Sequence, residues 1–224
     1  MSANPLEQPA RAVPSVDRAP STGEPGSPNP MLVVISGPSG VGKDTIIEAL
    51  QQRGHRPAYH YVITCTTRAR RPNEIDGVSY NFVTVPEFLA MRDADELLEA
   101  NEVHGNWYGT PRAGVRDALS RGQHAILKID VQGAEVVKRE VPGALLIFVL
   151  PPSVETLVKH LKARRTESAE QLEIRQRNAA LELARKDDYD YVVVNEENRV
   201  DVTAESIEKI ITQEERRGPR HVTV

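Results

Sequence analysis

The sequence predicts an α/β protein built on a mainly parallel sheet with helices on both faces. Two observations predict it. From Met31 onward, short β-branched runs alternate with amphipathic stretches at helical spacing. One of those strand-to-helix junctions, Gly37 to Thr45, is a glycine-rich loop ending in lysine, of the kind that opens onto a helix N-terminus.

Met31–Ser36 is an apolar run with β-branched residues, read as a buried strand. Lys43–Arg53 carries Ile46, Ile47 and Leu50 at helical spacing, and Gly54 can close it. Tyr59–Thr64 reads as a second strand and Tyr80–Val83 as a short one, with a short helix over Pro86–Arg92. Thr110 can cap a helix that has Pro111 at its first position and Gly122 at its end. His124–Ile129 and Ala144–Leu150 are further buried strands. Ser153–Ala163, Ala169–Arg185 and Val202–Arg216 read as helices, and Tyr191–Val194 as the last strand.

Residues 1–30 have a different composition, with seven prolines among small and polar residues. Such a segment buries too little apolar surface to offset its ordering entropy, so a disordered tail is expected. The acidic Glu7, Asp17 and Glu24 argue against an organellar transit peptide. The last residues, 219–224, are expected to be a short tail.

Bulk properties narrow the function. The chain has 224 residues and a formal net charge of −4, so any phosphate site must come from local clustering of cations. Nucleic acid is not an expected partner. The single cysteine, Cys65, excludes an internal disulfide and a Cys-based metal cluster, and suits a reducing, cytoplasmic setting. It reads as a small, half-buried strand residue. Apolar runs such as Ala144–Leu150 are too short to span a bilayer.

The chemistry begins at Gly37-Pro38-Ser39-Gly40-Val41-Gly42-Lys43-Asp44-Thr45. Its glycines let backbone N–H groups turn inward around phosphate oxygens, and the following helix adds its positive end. Lys43 can reach the outer phosphates of a nucleoside triphosphate. The spacing is that of a Walker A loop, but Asp44 stands where that pattern has Ser or Thr. Asp44 either offers a carboxylate oxygen to Mg²⁺ or acts through water, or Thr45 serves one residue later.

Downstream, Arg68, Arg70 and Arg71 follow a predicted strand, with Tyr80 beyond them. Guanidinium forks match phosphate oxygens in pairs. On charge alone the same residues read as a surface turn. Glu99, Tyr108 and Thr110 gather a carboxylate, a phenol and a hydroxyl around glycines. Taken singly, Glu99 reads as a strand-edge charge and Thr110 as a helix cap.

Taken together, the motifs resemble the guanylate kinase family over about Met31 to Arg217. The resemblance rests on Ser36–Lys43, on Thr66-Thr67-Arg68 with Arg71-Pro72, and on Asp76-Gly77 with Tyr80 and Phe82. Gly105-Asn106, Tyr108-Gly109-Thr110 and Ile129-Asp130 with Gln132-Gly133 complete it. It implies a P-loop fold over 31–218, a GMP-binding subdomain at about 62–108 and a helical lid at about 160–178. It further implies an ATP:GMP phosphotransferase using Mg²⁺, either monomer or homodimer, with no membrane partner.

In that family Arg68, Arg71, Tyr80 and Tyr108 would hold the GMP phosphate, Thr64, Glu99 and Thr110 would read guanine, and Asp130 would lie near the reacting phosphates. Lys43, Arg164 and Arg175 would stabilise the transferring group. Lys128 and His160 depart from the pattern, which often has an aspartate and an arginine there. The alternatives are a sugar-phosphate kinase, such as one for ribose 1,5-bisphosphate, and a non-catalytic binding module of the same fold. Neither would be expected to keep both the intact loop and the Arg68/Arg71/Tyr80 and Glu99/Tyr108/Thr110 sets.

Overall fold

The computed structural model describes residues 29–54, 59–103, 105–163 and 178–224. The predicted N-terminal tail to residue 28, and the lid residues Arg164 and Arg175, lie outside the described residues. The chain divides into two compact units: one contains Ile63–Pro111, and the other contains the segment ending at Val62 and Arg112–Val224.

The larger unit is built on a five-stranded sheet ordered β2-β7-β1-β8-β9. Its strands are β1 (Leu32–Ser36), β2 (Tyr59–Tyr61), β7 (His124–Lys128), β8 (Leu145–Leu150) and β9 (Tyr191–Val194). All four pairings are parallel. β1 and β8 (Leu-Leu-Ile-Phe-Val-Leu) are buried almost throughout, as strands covered on both faces must be.

On one face, Val33, Ile35, Ile147 and Val149 meet Ile46 and Leu50 of α1 (Lys43–Arg53). Leu157 of α5 (Val154–Ala163) and Ala204, Ile207 and Ile211 of α6 (Val200–Arg217) complete that layer. These positions recur three or four apart, so each helix turns one stripe to the sheet. The alternate strand residues Leu32, Val34, Leu127, Leu146 and Phe148 are also buried, on the opposite face. α3 (Arg112–Ser120) and α4 (Val131–Glu140) contact β7 and β1 respectively. Their Val115, Ala118, Ala134 and Val137 are buried.

The smaller unit is a four-stranded sheet ordered β4-β3-β6-β5. It comprises β3 (Cys65–Thr66), β4 (Asn81–Phe82), β5 (Leu97–Val103) and β6 (Asn106–Pro111), with α2 (Val85–Asp93). β6 is antiparallel to both β3 and β5, while β3 and β4 run parallel. α2 opens with a reciprocal cap in which Thr84 and Glu87 satisfy each other's backbone N–H. Phe88 of α2 packs with Cys65 and Leu97 and stacks on Trp107 at 5.6 Å between ring centroids.

Several sequence readings change. Thr110 and Pro111 end β6 and the helix begins at Arg112, so Thr110 is not an N-cap. Its backbone instead pairs with Glu99 across β5 and β6. The predicted strand Tyr59–Thr64 stops at Tyr61, and β3 starts separately at Cys65. α4 and the β5–β6 hairpin were not foreseen. Of the predicted helix Ala169–Arg185, residues 169–177 lie outside the described residues; the chain is helical over 178–183 and tightens into a 3₁₀ turn at Ala184–Asp188. Among the described residues no helix is long and apolar enough to cross a membrane.

Candidate active site

The phosphate loop joins β1 to α1 at the carboxyl edge of the parallel sheet, where α/β sheets bind their ligands. Two of its glycines are sterically required. A Cβ on Gly37, whose φ is +145°, would lie 2.4 Å from the Val149 carbonyl oxygen. One on Gly42 (φ +95°) would lie 2.6 Å from Asn195 Nδ2. Asn195 follows β9, and its side chain is fixed at both ends. Nδ2 donates to the Val41 carbonyl at 2.9 Å, and Oδ1 accepts from Thr203 Oγ1 at 3.0 Å. In this position Asn195 braces the loop.

Lys43 is the first residue of α1 and folds back over the loop. Its Nζ donates to the Gly37 carbonyl at 2.5 Å and to that of Pro38 at 3.1 Å. Desolvation pushes its ammonium below the ordinary lysine range. Glu182, Asp130 and Asp44 oppose that shift, and the like charge of Lys128 adds to it. The Ser39 amide donates to a carboxylate oxygen of Glu182 at 3.2 Å. A loop amide thus meets an anionic oxygen, as phosphate binding requires of it.

Gly40 offers its carbonyl to the His160 ring at 3.2 Å. Asp44 lies in the first turn of α1 with its side chain 66% exposed, and it accepts from Lys128 Nζ at 2.5 Å. Thr45 is exposed. Asp130 caps α4, its Oδ1 accepting from the Gly133 amide at 2.9 Å.

The smaller unit gathers the other predicted residues. Glu99 is only 4% exposed. Its Oε1 accepts from Thr110 Oγ1 and its Oε2 from Asn101 Nδ2, both at 2.7 Å. A buried carboxylate costs several kcal/mol unless hydrogen-bonded, so these donors are what let Glu99 stay inside. Thr64 is also buried; its carbonyl accepts from the Asn81 amide at 2.9 Å.

Arg68 is held by Glu74, with Nη2 at 2.7 Å from Oε1 and Nη1 at 3.1 Å from Oε2. Its guanidinium carbon lies 5.6 Å from the centre of the Tyr80 ring. Tyr80 meets Tyr108 edge-on at 6.1 Å between centroids. Arg71 reaches the same Glu74 carboxylate at 3.7 Å, and its backbone amide donates to it at 2.8 Å. Desolvation lowers the Arg68 pKa, but the hydrogen bonds it donates to Glu74 and Tyr108 outweigh that and raise it above the ordinary arginine range. Glu74 is pulled the other way: burial raises its carboxyl, and Arg68 and Arg71 bring it below the ordinary glutamate range.

Arg68 and Arg71 therefore share the Glu74 carboxylate, with Tyr80 and Tyr108 beside Arg68, while Glu99 and Thr110 form a buried pair. Glu74, Asn101 and Glu182 were not singled out from the sequence. For Glu74, the signal available was its place three residues after Arg71 in a turn.

The family model described as Guanylate kinase matches residues 29–214. A relative from Oryza sativa subsp. japonica named Guanylate kinase 2, chloroplastic/mitochondrial is 44% identical over 189 residues, covering 84% of this chain and 65% of its own length. A Guanylate kinase from Carboxydothermus hydrogenoformans is 42% identical over 190 residues, 85% of this chain and 91% of that relative. The crystal structure of guanylate kinase from Anaplasma phagocytophilum matches with a TM-score of 0.66 at 32% identity, covering 84% of this chain and 87% of that one. Sequence and fold agree along most of the chain, and it belongs to the guanylate kinase family.

Proposed function

We propose that this chain transfers the γ-phosphoryl group of ATP to GMP, giving ADP and GDP, in the purine nucleotide supply of the cytoplasm. The observation that carries the acceptor is Glu99, a buried carboxylate oriented by Thr110 and Asn101. A guanine presents an N1–H and a 2-amino group that a carboxylate can accept. Adenine presents neither, and would set its N1 lone pair against the carboxylate instead of a donor. Sites of this kind discriminate by ~10⁴ or more. Arg68 and Arg71, arranged by Glu74, supply paired donors for the acceptor's phosphate.

On the donor side, the loop amides from Gly37 to Lys43 cradle phosphate oxygens, and the Lys43 ammonium neutralises charge on the group in flight. Arg164 and Arg175 are assigned the same task. The residues present fit Mg²⁺. Asp44 offers a hard oxygen donor beside the loop, and Mg²⁺ is ordinarily held by one or two carboxylates together with substrate phosphates and water. Asp44 would hold the ion, which would supply positive charge to offset that of the phosphates. No covalent enzyme intermediate is needed, because positioning and charge carry this reaction.

The test is ATP consumption with GMP, AMP and ribose 1,5-bisphosphate offered separately. The expected result is ADP formation with GMP far exceeding that with the others. Turnover with the sugar phosphate instead would overturn the proposal. Tight GMP binding without ADP formation would favour a binding module.

A further inference from the structure

We infer that Lys128 is a second phosphate-contacting lysine of the donor site, held ready by Asp44. The inference rests on the donor reading above. β7 runs parallel to β1 with Lys128 opposite Ile35, so Lys128 ends its strand at the edge where the phosphate loop begins two residues later. The four residues before it in β7 are buried; Lys128 emerges, with a side chain 22% exposed. Its Nζ reaches Asp44, the neighbour of Lys43, at 2.5 Å.

The arrangement makes physical sense around a polyanion. An exposed carboxylate in the first turn of α1 would repel incoming phosphates, and Lys128 removes that repulsion. Lys43 and Lys128 stand close enough to feel each other's charge, so both ammonium groups lie at the same end of the loop. Triphosphate oxygens would give the Lys128 ammonium further acceptors beside the one Asp44 supplies. An ammonium carries three donors on a flexible stem, so Lys128 can turn to a phosphate oxygen while staying beside Asp44. The Asp44 carboxylate, mostly in solvent, can swing toward a hydrated cation at little cost.

The alternative role is simple neutralisation of Asp44, and a pair of variants separates the two. Calorimetric titration of the full chain with ATP, in EDTA and again with Mg²⁺, gives the readout. Lys128→Met should weaken metal-free ATP binding at least about tenfold, the worth of one charged hydrogen bond. The double variant Lys128→Met/Asp44→Ser should not recover that loss, while Lys128→Arg should keep most of the affinity. Circular-dichroism melts near that of the unaltered chain verify folding, and Lys128→Gln substitutes if the methionine variant melts early. Unchanged ATP affinity in Lys128→Met, or full recovery in the double variant, would overturn the inference. An unaltered chain that binds no ATP would overturn the donor reading and this inference with it.

Discussion

Thr110 and Glu99 face each other across β5 and β6, hydroxyl to carboxylate at 2.7 Å, with Thr110 fully buried. The pair orients an acid where the strand alternation would otherwise put an apolar side chain. Glu99→Gln keeps the shape and removes the charge. It should lower kcat/KM for GMP by at least about tenfold and narrow the preference over AMP, since a charged acceptor is replaced by a neutral amide. Steady-state kinetics with both nucleotides checks this; an unchanged GMP-to-AMP ratio would mean that Glu99 does not read the base.

Glu74 holds Arg68 through both terminal nitrogens and Arg71 through its backbone amide. Glu74→Gln should leave Arg68 less well oriented for a phosphate. The expected effect is a rise in KM for GMP of about tenfold with a smaller change in kcat, the pattern of weakened binding. Isothermal titration with GMP provides an independent measure.

Lys43→Ala removes the ammonium that bridges the Gly37 and Pro38 carbonyls. Turnover should fall by about 10³-fold or more, in the range seen when a preorganised charge is lost from a transition state. Circular dichroism should show the fold retained.

Gly37→Ala places a methyl group 2.4 Å from the Val149 carbonyl at a φ of +145°. Backbone strain and the clash together should cost about 1 to 3 kcal/mol or more, read as a lower midpoint in urea. Gly54→Ala also has a positive φ but meets nothing within 4 Å, so it should cost less.

Burial pushes the Cys65 thiol up to about 11. At pH 8 only roughly one molecule in a thousand would carry the reactive thiolate. Iodoacetamide should therefore label the native chain far more slowly than the urea-unfolded chain. Equal rates would place Cys65 at the surface.

The sequence made the parallel core legible because its signals are local. Lys43–Arg53 and Tyr191–Val194 have the predicted bounds, since apolar spacing and glycine or polar flanks mark their ends. The hairpin of β5 and β6 was hidden. Leu-Leu-Glu-Ala-Asn-Glu-Val mixes charge into a strand, and Thr110-Pro111 imitates a helix start. The burial of Glu99 was equally hidden, because a charge reads as solvent-facing until its donors Thr110 and Asn101 are seen. Partnerships such as Lys128 with Asp44, 84 residues apart, arise from strand pairing and have no local signature.

The most direct measurement follows the phosphorus itself. ATP labelled at the γ-position is mixed with GMP and the chain, and the products are separated by charge. Direct transfer predicts label in GDP, formed in step with ADP, and none retained on protein. Label recovered as inorganic phosphate, or bound covalently to the chain, would contradict direct transfer between the two nucleotides.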